Sequence, residues 1–418
     1  MEVGVAGLDE LEAPPPDENP YESATRRHRS LEDARRLSRG LSAHRVAERS
    51  TREERKQRLL AQLYTQSWLI FFSLFGTLAR LGVEWATRYP NAPVTTNVLW
   101  ANVGGSFILG YLQEDRALFA ERRGSALFSP PSSSNSSGSG AEKGSRKLHA
   151  EHLAKKKTLP LYIGLTVGFC GSFTSFSSFM RDLLLALSND LPSPAQSSSP
   201  EARSAGWSVS AVLGVAIIEV AGSLSALQAG AHLAIAVLPL LSKLPKINSA
   251  RYMNPLGVVL GAGCWLGAVL LAIWPPQSSW RGEVLFALVF APLGTMMRYI
   301  LAITLNGIVA YFPLGTFAAN IFGTMVLGIA YDLQHAQLHP ADSVGGGIVG
   351  CQVLSGILEG FCGCLTTVST WVVELKSLRK HHAYGYGIVS GMVGFFCLII
   401  IVGSLRWTLG LSTPICSM

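Results

Sequence analysis

Charge is scarce in this chain and unevenly spread. Only 15% of its 418 residues are charged, against ~25% for a typical soluble protein. Of the 34 basic and 27 acidic residues, 24 lie in residues 1–67, 3 in residues 68–110 and 14 in residues 111–158, which leaves 20 for residues 159–418. That is too few to solvate a globular surface of such length, so a soluble enzyme is excluded. The seven cysteines form no CxxC or His-paired zinc spacing, and Cys170 and Cys362, inside apolar runs, read as small buried residues. No His-based triad stands beside a candidate nucleophile, so no enzymatic activity is expected. Net charge is +7, but the basic residues sit at segment ends and in short loops, so nucleic acid is not an expected partner. Residues 1–66 lack an apolar stretch behind a basic start, and no secretory leader is expected there.

Long apolar stretches are abundant instead. A membrane-crossing helix needs ~20 mostly apolar residues. Nine candidates follow one another near 68–88, 94–114, 159–188, 207–238, 254–274, 283–305, 313–333, 345–374 and 385–409. Residues 1–66 begin acidic and Pro-rich and turn Arg-rich from Arg26 to Arg58. They read as a disordered cytosolic tail, with an amphipathic helix at roughly 45–64 leading into the membrane. Residues 129–157 form a disordered Ser/Gly-rich loop, and residues 190–206 a shorter polar one. With a cytosolic N-terminus, the cytosolic segments carry 12 Lys/Arg in the tail, 9 in residues 111–158, and 3 each at Lys243, Lys246, Arg251 and at Lys376, Arg379, Lys380. The outer loops carry one or two each at most. This bias satisfies the positive-inside rule and puts the C-terminus outside.

The chain repeats itself. GTLAR at Gly76–Arg80 returns as GTMMR at Gly294–Arg298, and Asn102 and Gly110 return as Asn320 and Gly328, all offset by 218. GFCG at Gly168–Gly171 returns at Gly360–Gly363, offset by 192. One insertion, the Ser-rich loop of the first copy, accounts for the change. The expected units are a four-helix repeat at 67–238, a linker with one linking transmembrane helix at 239–281, and a second four-helix repeat at 282–418. Four spans return the chain to its starting side, and a fifth moves it across. The second unit therefore enters the membrane upside down. The expected fold is an all-α polytopic membrane protein, with nine transmembrane helices arranged as two inverted repeats, an architecture of many transporters.

The third helix of each unit is the most unusual. It reads GLTVGFCGSFTSFSSF at Gly164–Phe179 and GILEGFCGCLTTVSTW at Gly356–Trp371. GxxxG pairs permit close backbone contact. Tight packing does not explain hydroxyls at Thr174, Ser175, Ser177 and Ser178 that recur at Thr366, Thr367, Ser369 and Thr370. Such a stretch suits a helix broken mid-membrane, buried in protein, with freed carbonyls. Asn102 and Asn320 lie mid-span in the second helices. A lone amide there reads as interhelix glue, while two at matching positions beside hydroxyl-rich helices lean towards function. Arg80 and Arg298 either snorkel to the surface or gather anions at a vestibule. Glu84, one turn from Arg80, is a candidate partner for it. Glu219 and Glu359 lack counterparts in the other copy and are candidate gates or proton sites, or local ion partners.

These three motifs, recurring in order in both copies over roughly residues 68–409, resemble the fluoride channel family (CrcB/Fluc). Two copies joined by a linking helix resemble its eukaryotic two-domain branch, the fluoride export proteins. The resemblance implies a plasma-membrane channel that exports cytosolic fluoride by passive electrogenic conduction and gives fluoride resistance. Its pores would lie at the interface of the two repeats, with both halves in one chain and a monomer expected. It places the pore asparagine on Asn102 and Asn320, the paired aromatics on Phe176 and Phe179, and a hydroxyl line on Ser177 and Ser369. In the second copy the aromatic positions are Val368 and Trp371, a departure. A structural sodium ion would be held by carbonyls at Gly171, Thr174, Gly363 and Thr366. The available pairings are Phe176 with Trp371 and Phe179 with Val368. Only the first is fully aromatic, so that pore is expected to conduct. Amide and hydroxyl donors and phenyl edges are the groups that can replace the water around a small, strongly hydrated anion. The competing reading is a proton-coupled anion or drug transporter working through Glu219 or Glu359.

Overall fold

The computed structural model describes residues 52–89, 92, 94–119, 156–191, 203–241, 250–336 and 347–417. Most of the N-terminal tail and of the Ser-rich loop at 129–157 lies outside these residues, as do Lys243 and Lys246. Among the described residues the chain is helical, with no strand. Its helices are α1 (Arg52–Thr87), α2 (Leu99–Glu114), α3 (Pro160–Ser188), α4 (Ala205–Leu241), α5 (Ala250–Ile273), α6 (Ser278–Leu305), α7 (Leu314–His335), α8 (Gly347–Ser377) and α9 (Lys380–Thr408). Eight are long and apolar enough to cross a membrane. The exception is α2, whose 16 residues extend ~24 Å at 1.5 Å per residue. The helix entering the first span is described over Arg52–Thr87 and runs unbroken into it, and residues 45–51 of the amphipathic helix expected at roughly 45–64 lie outside the described residues. The chain is a multi-pass membrane protein.

Two of the helices are interrupted. The first part of α3 is π-wound over Gly164–Cys170, and α8 is π-wound over Ile357–Cys362. Each returns to one α-turn (Gly171–Phe173, Gly363–Leu365) and then breaks, at Thr174 and at Thr366, both in extended backbone. A wide π-turn misaligns the next hydrogen bonds and is common at functional sites. The break follows where GFCG runs into hydroxyl residues, which can satisfy freed backbone groups themselves.

Small residues set how closely helices pack within each half. A Cβ on Gly76 would lie 2.5 Å from the Phe169 carbonyl oxygen, and one on Gly294 would lie 2.3 Å from that of Phe361. The first helix of each unit thus packs backbone to backbone on its own broken helix. The threonine beside each of these glycines crosses to the other half: Thr77 Oγ1 lies 3.0 Å from Cys364 Sγ, and Thr295 Oγ1 lies 2.9 Å from Ser172 Oγ. Applying the offsets of 218 and 192 turns the first contact into the second. These two contacts are reciprocal, as contacts at an isologous interface are.

Two local devices are confined to one half. Lys156 is buried, donates to the Asp115 carbonyl, and lies over the rings of Tyr162 and Phe119 at 5.1 and 5.5 Å. Burial pulls this ammonium down to about 8, against the pull of Asp115. The pair ties the end of α2 to the start of α3 on either side of the long loop. In the second half, a disulfide joins Cys351 on α8 to Cys416 in the C-terminal segment, and Ser412 N donates to the His335 carbonyl at 2.9 Å.

Candidate functional site: two reciprocal helix breaks

The asparagines hold the breaks open. In a continuous helix the N–H of Ser175 would bond to the Gly171 carbonyl. Instead it donates to Asn102 Oδ1 at 2.9 Å, and the N–H of Thr367 donates to Asn320 Oδ1 at 2.8 Å. Each amide also donates back, Asn102 Nδ2 to the Ser175 carbonyl at 3.4 Å and Asn320 Nδ2 to the Thr367 carbonyl at 3.3 Å. The side-chain amide replaces a peptide group at each break, and the Gly171 and Gly363 carbonyls lose their helical partners. A residue's own chemistry explains its repetition here: Asn is the shortest side chain with both an acceptor and two donors.

The hydroxyls join the halves. Thr366 Oγ1 accepts the N–H of Ser177 at 3.0 Å, and Thr174 Oγ1 accepts the N–H of Ser369 at 3.2 Å. The threonine of each break therefore caps the helix that restarts in the other half, an N-cap worth ~1 kcal/mol made across an interface. The hydroxyls of Thr174 and Ser369, and those of Ser177 and Thr366, stand 3.0 Å apart, and Thr174 also meets Thr367 at 3.0 Å. Ser177 and Ser369 thus lie in a buried hydroxyl cluster between the halves.

The two arginines complete the exchange. Arg80 donates through Nε to the Ser172 carbonyl at 3.3 Å and through Nη2 to the Glu359 carbonyl. Arg298 donates to the Cys364 and Val167 carbonyls, both at 2.8 Å. These acceptors are matching positions. A Cβ on Gly363 would sit 2.2 Å from Arg80 Nη2, and one on Gly171 would sit 2.3 Å from Arg298 Nη1. Both side chains are buried, at 0% and 3% exposure. They are neither snorkelling nor at a vestibule surface. A carbonyl beside the break of its own half and one in the π-turn of the opposing half recruit each arginine inward, because a buried carbonyl without a donor is costly.

Side-chain charge breaks the symmetry. Glu359 pairs with Arg80 at 2.5 Å and with Arg181 at 3.1 Å, and Glu84 lies 3.9 Å from Arg80. The matching residues Val167, Val373 and Ala302 are apolar, and among the described residues Arg298 has only the backbone bonds above. On the Asn102 side, Glu219 accepts the second amide N–H of Asn102 at 3.1 Å, and its other oxygen is buried without a partner. Gly110 packs on Leu227 and Gly328 on Leu398, an offset of 171 that lays Ser390 on the Glu219 position. Ser390 is fully buried, and its Oγ has no partner.

The aromatic residues gather beside these groups. Phe176 meets Trp371 edge-on, with centroids 5.5 Å apart, and meets Phe179 at 6.0 Å. Phe179 and Val368 are buried in the same apolar cluster. On α9, a Cβ on Gly394 would lie 3.1 Å from Phe176 Cε1, and one on Gly387 would lie 3.9 Å from Trp371 Cζ2. Ser390 is between them on that helix face. The indole N–H of Trp371 is also buried without a partner. Two unused donors, one N–H and one O–H, therefore flank the fully aromatic pair.

A sequence model of one family, described as "CrcB-like protein, Camphor Resistance (CrcB)", matches residues 67–231 and 285–404. The chain belongs to the CrcB family. The two matched stretches straddle α5, so the family's domain occurs twice in this CrcB chain. It is 48% identical over 378 residues to "Fluoride export protein 1" of Neurospora crassa, covering 87% of this chain and 71% of that protein. It is 30% identical over 355 residues to "Fluoride export protein 1" of Candida albicans, covering 82% and 80%. "Fluoride-specific ion channel FluC" of Pseudomonas aeruginosa is 34% identical over 137 residues, which are 98% of that protein and 31% of this one. The bacterial relative thus corresponds in length to about one repeat. No solved structure matches the chain.

Sequence reasoning overlooked several residues of this CrcB site. Arg181 carries no repeat signal, since the matching position is Val373. Asp182 and Glu374 do recur at the offset of 192, and each reaches the start of the second helix of its unit, at Val98 N (3.5 Å) and Thr316 Oγ1 (2.7 Å). That recurrence was a usable signal. Ser390 and the Cys351–Cys416 bond carried none, since neither is repeated.

Proposed function

We propose that this chain is a fluoride-selective channel that carries cytosolic fluoride outward by passive, electrogenic conduction. The observation that carries the reading is the buried set of unused donors at the Phe176/Trp371 pair, in a chain whose relatives are named for fluoride export and fluoride-specific conduction. A small hydrated anion surrenders its water only to groups that replace it, and fixed N–H, O–H and ring-edge donors do so without the tight hold of a full positive charge. Asn320 uses one of its two amide N–H groups on Thr367 and has the second for an ion, whereas Asn102 spends both, one of them on Glu219. The conducting route therefore runs past Phe176, Trp371, Ser390 and Asn320. The route past Asn102, Phe179 and Val368 is closed by an acceptor, Glu219, where an anion needs donors.

The chain acts as a monomer in the plasma membrane, with nine spans, an inverted second repeat, a cytosolic N-terminus and an external C-terminus. The disulfide supports that orientation, because the parity of the spans puts Cys351 and Cys416 outside, where disulfides persist. A structural sodium ion suits the donor chemistry of the breaks: the Gly171 and Gly363 carbonyls, released by the asparagines, with Thr174 and Thr366 beside them, are hard oxygen donors of the kind unwound transporter helices offer to sodium. Bound there, it would supply positive charge near the anion route.

The test is fluoride release from liposomes holding the purified chain, read by electrode, with valinomycin and K⁺ to clamp charge. Fast efflux that needs valinomycin and excludes chloride supports the channel. The second reading, a proton-coupled transporter, rests on the partnerless oxygen of Glu219. It predicts efflux that tracks a proton gradient, persists without valinomycin and is lost in Glu219→Gln.

A further inference from the structure

An apolar cavity of about 860 Å³ runs along the outside of the molecule between α4 and α9. Its floor carries Phe179 and Trp371, which are matching positions of the two repeats, so it follows the pseudo-two-fold axis. One wall reaches from Val212 to Gln228 on α4, a rise of ~24 Å at 1.5 Å per residue. That exceeds one leaflet, half of a hydrocarbon core ~30 Å thick. The lips of the groove are exposed and apolar, with Leu213 56%, Ile388 63% and Phe396 51% accessible. A groove open to the bilayer over this length is filled by something apolar and elongated.

Charge picks the occupant. Lys376 and Lys380 line the groove and stand at one mouth. The matching residues of the first copy, Leu184 and Ser188, carry no charge. Among the described residues the groove is therefore lined by basic side chains at one mouth alone, in the cytosolic leaflet for the orientation proposed above. A basic mouth leading into a long apolar slot between transmembrane helices complements an anionic lipid, headgroup at the lysines and acyl chain along the slot. A second copy of this chain would bring its own lysines against these and is disfavoured by like charge.

We propose that this groove is a specific site for one anionic phospholipid of the cytosolic leaflet, whose acyl chain covers the Phe179/Trp371 floor and whose phosphate meets Lys376 and Lys380. The occupant shields the aromatic pair from bilayer exchange.

Native mass spectrometry of the full chain, delipidated and re-exposed to phosphatidylserine or phosphatidylcholine, tests this without reference to ion transport. The expected result is one retained phosphatidylserine per chain, preferred at least about fivefold over phosphatidylcholine. Lys376→Gln with Lys380→Gln should remove the preference while an acyl chain is still retained. Gly391→Leu should abolish retention of both lipids, since a Cβ at Gly391 meets no atom within 4 Å and the leucine projects into the open groove of a continuous helix. Unchanged size-exclusion and helical circular dichroism would show that the variant folds. Equal retention by wild type and Gly391→Leu overturns the site. So does a preference that survives loss of both lysines. A wild-type dimer that Gly391→Leu dissociates gives the groove to a second copy instead. Faster or slower fluoride efflux in the lysine variants with lipid retention unchanged makes it an aqueous vestibule, which also overturns the proposal.

Discussion

At the first break, Asn102 lies between the Ser175 carbonyl and a buried carboxylate, and the nearby Arg80 is surrounded by Glu84, Glu359 and, through Glu359, Arg181. At the second, Asn320 faces only the Thr367 peptide among the described residues, and Arg298 holds only carbonyls. The two regions break at matching positions, Thr174 and Thr366, and share their asparagine, threonine and arginine contacts to backbone. Their side-chain charges differ. Duplication supplied two copies of one scaffold, and the scaffold needs both, because each threonine caps the other's helix and each arginine bonds one carbonyl of its own half and one of the other. The scaffold can be kept while one ion route is given up, provided that the change is confined to side chains pointing away from the reciprocal contacts. Glu219 and Val368 are changes of that kind, whereas Glu359 and Arg181 add charge beside the Arg80 contact and leave its backbone bonds in place.

The largest test of this difference is electrostatic. Arg80→Met should leave the half-buried Glu359 with Arg181 as its remaining cation among the described residues and cost ~3–5 kcal/mol, as expected when a buried arginine is removed from its ion pair. Arg298→Met orphans two carbonyls and should cost ~1–3 kcal/mol. Thermal unfolding in detergent compares them, and equal losses would mean that the charge asymmetry has no energetic weight. Next in size is the bond confined to the second half. Cys351→Ser should lower stability by ~2–4 kcal/mol, read by the same melting assay, and reductant should leave the variant's melting point unmoved while lowering that of the wild type.

The conduction tests sharpen the comparison further. Phe176→Ile and Ser390→Ala should each slow fluoride efflux about tenfold or more, equivalent to ~1.4 kcal/mol in barrier. Phe179→Ile should change it less than about twofold, under ~0.5 kcal/mol. Equal losses at Phe176 and Phe179 would mean that both routes conduct. The smallest difference is expected where the halves are alike. Gly171→Ala and Gly363→Ala each push a methyl against a bonded guanidinium and should each destabilise by ~1–3 kcal/mol, the usual cost of overpacking. Melting points that fall together support the reciprocal clasp, and a fall in only one would break it.

Much of this was legible from residue order. The apolar runs mark the helices because a bilayer requires internally bonded backbone over a set length, and only the short α2 falls below that length. The doubled motifs point to the two breaks, since hydroxyls and glycines in series cannot maintain a lipid-facing helix. The asparagines are legible as a pair for the same reason of position. Arg80 and Arg298 were misplaced by the expectation that long basic side chains reach for water. No local feature announces that carbonyls of the other half, 279 residues away in the case of Glu359, offer a better partner.

The sequence by itself determined that this is a duplicated, all-helical membrane protein with a polar break in the third helix of each copy, because hydrophobic length, charge bias and repetition are properties of residue order. Only the tertiary structure decided what the repeated residues do. Capping across the breaks, the burial of the arginines, the Glu219–Asn102 contact and the unused donors at Trp371 and Ser390 arise between segments far apart in the chain. Their energies depend on distance and desolvation in the packed fold, which neighbouring residues along the chain do not encode.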